Sequence, residues 1–124
     1  MFLARLDRLR MVRDFVEGFC AEARLGEDHC LRLNLVLEEL FTNTVRHGHR
    51  GDSDSPVWVS VSADDGAIRL TYEDSAPPFN PYGISPQRRD IGGLGVLLTR
   101  ALASSREYAY LYGRNRIRLA LSLR

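Results

Sequence analysis

No apolar run in this sequence approaches the length of a membrane span or a secretory signal peptide, so a bilayer-embedded or exported protein is not expected. Charge of one sign is missing as well. A formal net charge of +1 argues against a basic nucleic-acid surface and against an acidic tail. Cysteine is scarce: Cys20 and Cys30 fall in helix-like stretches without metal-ligand spacing, and read as buried free thiols rather than a disulfide or a metal site. Internal repeats and low-complexity segments are also lacking. What is present is an ordinary globular balance, 44% hydrophobic and 27% charged, and 124 residues fit one domain, 1–124, better than two. A soluble, reducing, cytoplasmic protein is expected, with no direct contact to nucleic acid or membrane.

Apolar residues then set the elements. Leu6, Leu9, Val12, Phe15, Val16, Phe19 and Cys20 recur at helical spacing, which predicts a helix from Leu6 to about Arg24 with Gly26 as its stop. A second helix is predicted from about Asp28 to Arg46, with Leu33, Leu37, Leu40, Phe41, Thr44 and Val45 on its buried side and Gly48 at its end. The period changes to two at Val57, Val59 and Val61. Asp64-Asp65-Gly66 follows as a hairpin turn, and Ile68, Leu70 and Tyr72 form the return strand. The stretch between Asp74 and Ile91 holds Pro77, Pro78, Pro81 and Pro86 and reads as a long functional loop. Val96 to Ala103 reads as a third helix. Tyr108, Tyr110 and Tyr112 alternate on a strand, Gly113-Arg114-Asn115 turns, and Ile117, Leu119 and Leu121 alternate on the last strand. Phe2-Leu3-Ala4 fits a stub of edge strand. The expected fold is an α/β (α+β) two-layer sandwich, a mixed, mostly antiparallel sheet with three helices stacked on one face.

Chemistry concentrates at three places. Glu39, Asn43 and His47 stand four residues apart, so they line one stripe of the second helix. A carboxamide oxygen suits Mg²⁺ when nucleotide phosphates carry the charge, and a carboxylate one turn away can act as a general base. Alone, such a stripe is usually a solvated helix face. Asp74 ends the second strand, where a carboxylate can accept from a ligand amine such as adenine N6, with Phe79 and the prolines as walls; an Asx turn explains it equally. Gly92-Gly93-Leu94-Gly95 precedes a helix, so free N–H groups converge there as a phosphate cradle, although a tight helix entry needs glycine too.

In this order the three pieces resemble the GHKL ATPase superfamily. Leu37 to Asn43 looks like its N box, Tyr72 to Pro81 like its first glycine box, and Ile91 to Leu98 like its second. Within it the sequence is most similar to the anti-sigma-factor serine/threonine kinases, the SpoIIAB- and RsbW-like group, on the Glu39-to-His47 run, the Pro77-Pro78-Phe79-Asn80-Pro81 stretch and the Tyr112 to Arg116 hairpin. The resemblance implies a Bergerat-type fold, ATP and Mg²⁺ as cofactors, and phosphorylation of a STAS-type anti-anti-sigma partner by a protein that also sequesters a sigma factor. It implies Glu39 as catalytic base, Asn43 as Mg²⁺ ligand, Asp74 as adenine acceptor, and Gly92, Gly93, Leu94 and Gly95 around the phosphates, with His47 and Arg46 near them. Ala76 stands where the first box usually has glycine, a mild change at negative φ and a real one at positive φ. The short N-terminus puts in doubt an edge strand that contributes to dimerisation in the group, so a homodimer is left open. The rivals are an ATP-responsive adaptor without phosphoryl transfer, a detached histidine-kinase catalytic module, and an ATPase with another partner; Glu39 favours the kinase.

Overall fold

The computed structural model describes residues 1–64, 66–78 and 103–123. Strand β1 (Phe2–Leu3) is followed by a single 3₁₀ turn (Leu6–Arg8), helix α1 (Leu9–Ala23) and helix α2 (Glu27–Asn43), which runs into a π-helical turn (Thr44–Gly48). Strands β2 (Pro56–Ala63) and β3 (Ala67–Asp74) form one hairpin, and β4 (Ala103–Leu111) and β5 (Arg114–Ser122) a second. The five strands make one sheet in the order β1-β2-β3-β5-β4. Every pairing among them is antiparallel, so the sheet is not mixed as expected.

The alternation read from the sequence sorts the two faces. Val57 on β2, Ile68, Leu70 and Tyr72 on β3, and Ile117, Leu119 and Leu121 on β5 are buried toward one side. Against them lie Val12, Val16 and Cys20 of α1 and Leu33, Val36, Leu37, Leu40 and Phe41 of α2. Each fully buried Leu or Val of this kind contributes roughly 1.5–3 kcal/mol relative to exposure. The opposite face carries exposed Arg69 and Arg118 and half-buried Glu73 and Arg116, which suits water. Two α-helices therefore cover one face among the described residues. The third expected helix lies outside them except at its last residue: Ala103 begins β4, not a helix end.

Three element ends differ from the sequence reading, each for a local reason. Helix α1 ends at Ala23, within a residue of the expected end, but its stop is not Gly26: Arg24 takes the left-handed conformation (φ 56) and the Leu25 N–H reaches back to the Cys20 carbonyl at 3.0 Å. That is the helix stop glycine usually supplies, made here by arginine; Gly26 instead caps the start of α2. Helix α2 loses α geometry at Thr44, where the His49 N–H bonds the Thr44 carbonyl five residues back at 2.9 Å. The β4–β5 turn is Tyr112-Gly113, both at positive φ (53 and 76), as a two-residue hairpin turn requires. Arg114 and Asn115 consequently belong to β5 rather than to the turn. In the β2–β3 turn the Asp64 carboxylate holds the chain by accepting from the Gly66 and Ala67 N–H groups at 2.9 and 3.0 Å, and Gly66 is not left-handed. The expected edge-strand stub is present: Phe2 and Leu3 pair with Val57 and Pro56.

Candidate nucleotide site

Helix α2 separates two adjacent carboxylates by rotation. Glu38 turns toward α1, where the Arg13 guanidinium donates to it at 2.7 Å. Glu39, one residue and about 100° further round, is half-buried; its carbonyl accepts from the Thr42 hydroxyl at 3.2 Å, while its carboxylate makes no hydrogen bond or ion pair among the described residues. Asn43 follows it by one turn, also half-buried, and its Nδ2 is buried without a hydrogen-bond partner among the described residues. Glu39 and Asn43 thus share a stripe, as the spacing predicted. His47 lies on the π turn between Thr44 and Gly48 and is exposed.

Thr44 joins this helix end to Asp74. Its hydroxyl donates to Asp74 Oδ2 at 2.8 Å and lies 2.6 Å from the Tyr72 hydroxyl, which also reaches the Leu40 carbonyl at 3.2 Å. A threonine hydroxyl has one proton. The charged acceptor takes it, so the one Tyr72 proton is shared between the Thr44 oxygen and the Leu40 carbonyl. Burial pushes the Tyr72 hydroxyl well above the usual tyrosine range; the hydrogen bond with Thr44 opposes it and the neighbouring Asp74 charge adds a lesser push, so Tyr72 stays neutral and able to donate.

Asp74 closes β3 and is only 7% exposed. Oδ1 accepts from the Ala76 N–H at 3.1 Å, the Asx turn anticipated for this position. It also accepts from Asn115 Nδ2 at 2.9 Å, across the β3–β5 register that sets Asp74 beside Asn115. The same amide group donates to the Ala76 and Pro77 carbonyls at 2.9 and 3.0 Å, and the Tyr108 hydroxyl donates to Asn115 Oδ1. A continuous polar seam therefore runs Tyr108–Asn115–Asp74–Thr44–Tyr72 through otherwise apolar packing. Thr44, Tyr72, Tyr108 and Asn115 did not emerge as site residues from the sequence. One signal was there for Asn115: extending the Ile117, Leu119, Leu121 alternation two residues back places it on the inner face.

Ala76, the departure from the glycine of the first box, is buried at 3% exposure and is not among the residues at positive φ. A Cβ added at Gly48 would stand 2.8 Å from the Ala76 Cβ. The methyl group on the loop thus takes up the space above a glycine on the π turn. Phe79 and the Gly92, Gly93, Leu94 and Gly95 turn lie outside the described residues.

Among the described residues no cluster of three or more His, Cys, Asp or Glu could cage a divalent ion. Asn43, whose Nδ2 has no hydrogen-bond partner among the described residues, fits the alternative of a single neutral oxygen ligand to an ion held mainly by phosphates and water.

Residues 2–121 match the histidine kinase-like ATPase domain, and the chain belongs to that family. ATP binding is the property the domain implies. The chain is similar to the anti-sigma F factor of Geobacillus thermodenitrificans, 32% identical over 73 residues, which is 59% of this chain and 50% of the relative. It is also similar to the anti-sigma F factor of Halalkalibacterium halodurans, 30% identical over 73 residues, with the same 59% and 50% covered. The matched stretch thus spans half the length of these relatives. Among the described residues no helix is long and apolar enough to cross a membrane.

Proposed function

We propose that this chain is an ATP–Mg²⁺-dependent cytoplasmic anti-sigma regulator that phosphorylates a serine or threonine of a STAS-type anti-anti-sigma partner and, in its other state, sequesters a sigma factor. The observation that carries the kinase reading is Glu39: a half-buried carboxylate without a partner among the described residues, one turn before Asn43. A module that only bound nucleotide would have no use for a base there. The anti-sigma F factors it resembles support the regulatory setting.

In this reading Asp74 accepts the adenine amine with Phe79 beside it, Asn43 is the protein ligand to Mg²⁺, and Gly92, Gly93, Leu94 and Gly95 hold the phosphates, with His47 near them. Mg²⁺ would neutralise charge on the phosphate oxygens. Glu39 takes the proton of the substrate hydroxyl as that oxygen bonds to the γ-phosphorus, and the bond to the bridging oxygen breaks to release ADP. Positioning and charge neutralisation supply most of the acceleration, with one base added. Phosphorylation of the partner changes its local charge by about −2, enough to switch which protein is held.

The test uses labelled ATP, Mg²⁺ and a panel of STAS proteins. Wild type is expected to label a partner serine or threonine. Asn43→Ala should lose nucleotide binding, whereas Glu39→Ala should keep it and lose transfer by about 10²–10⁴-fold. ATP binding without labelling of any partner would instead support an adaptor, and no ATP binding at all would sink the proposal.

A further inference from the structure

The buried side of Asp74 is more crowded than an acceptor waiting for a ligand needs to be. A carboxylate offers about four lone-pair sites. Among the described residues, three are taken: two on Oδ1 by the Ala76 N–H and Asn115 Nδ2, and one on Oδ2 by Thr44. One site on Oδ2 remains. Its direction is fixed by whatever holds the other three, and Asn115 holds more than its share. Its Nδ2 donates to Asp74 and to the carbonyls of Ala76 and Pro77, the first residues beyond β3, while Tyr108 fixes its Oδ1. At 5% exposure the amide has no room for a second rotamer that would keep these bonds.

We propose that Asn115 is a positioning residue for base selectivity: it aims the remaining Asp74 lone pair and pins the start of the loop, so that the exocyclic amine of a purine is rewarded. This rests on the reading of Asp74 as the acceptor of that amine. Asn115 acts through Asp74 and does not itself touch the reacting groups. A purine with a carbonyl in place of the amine would set two acceptors against each other.

The probe pair is ATP and purine riboside triphosphate, which differ only in the amine, measured by calorimetry with Mg²⁺ at equal pH. Wild type is expected to bind ATP about ten- to a hundredfold more tightly, the range for a hydrogen bond to a charged group. In Asn115→Ala this ratio should fall to within about threefold, with the affinity for purine riboside triphosphate almost unchanged. A purely structural role would weaken both nucleotides together and keep the ratio, which would overturn the proposal. A wild-type ratio near one would overturn the reading of Asp74 and this proposal with it. Should the variant fail to fold, the wild-type chain decides: the Asn115 side-chain amide resonances should shift with ATP and hold still with purine riboside triphosphate. Equal shifts with both nucleotides would overturn it.

Discussion

Gly48 and Ala76 show how one methyl group is accommodated at this site. The loop residue carries a Cβ where the related pattern has glycine, and the helix residue opposite carries none. We expect Gly48→Ala to destabilise the protein by about 1–3 kcal/mol, since backbone and a short side chain rather than a flexible tip must move. Ala76→Gly in the same chain should recover much of that loss, and a thermodynamic double-mutant cycle from chemical denaturation checks it; additive losses would refute the compensation. Cys20 offers a second residue-level test. Burial, then the adjacent Cys30 thiol, push its pKa up to about 12. The thiolate is the reactive form, so alkylation of the folded protein at pH 8 should spare Cys20 and mark half-buried Cys30 first, as peptide mass mapping would show.

At the scale of elements, the hairpin between β2 and β3 depends on a charge. The Gly66 N–H, Arg69 and the Ala67 N–H, in falling order, hold the Asp64 carboxyl below its ordinary range. A lowered folded-state pKa gives stability that is present above the unfolded value and lost as pH falls through the folded one. Asp64→Asn should therefore be less stable than wild type near neutral pH, and the gap in thermal midpoint should begin to narrow as pH falls through the ordinary carboxyl value of about 3.9 and close only below the lowered folded-state one. Element type was legible wherever the period was clear: the 3.6 spacing of α2 and the alternation of β2, β3 and β5 all hold. The ends were not, because conformation there is set by single residues acting against type. Arg24 and Tyr112 adopt the left-handed region that glycine or asparagine signals in a sequence, and the π turn after Asn43 leaves no mark in composition. The site divides the same way. Glu39, Asn43 and Asp74 could be singled out because local spacing and order carry them. Thr44 and Asn115 could not, since their bonds to Asp74 join positions 30 and 41 apart and depend on strand register.

For the whole molecule the question is how phosphates are held. Apart from three histidines its basic side chains are all arginine, with no lysine anywhere in the sequence. A nucleotide's negative charge must then be met by backbone N–H groups, guanidinium or imidazole groups or a divalent ion, not by an ammonium group. Binding of ATP to the folded state alone should raise the unfolding free energy by about 2.7 kcal/mol at a hundredfold excess over Kd. We expect a rise in melting temperature with ATP and Mg²⁺ that collapses when EDTA removes the metal, read by differential scanning fluorimetry. An equal rise with EDTA present would deny the ion a part in binding.

The bond between Asn115 and Asp74 also bears on fragments. A peptide ending before β5 could contain Glu39, Asn43 and Asp74 and still lack the amide that seats the carboxylate. Any truncation meant to isolate a minimal nucleotide-binding unit must therefore retain the second hairpin. Resistance of the Asp74 segment to proteolysis would report whether that hairpin has docked.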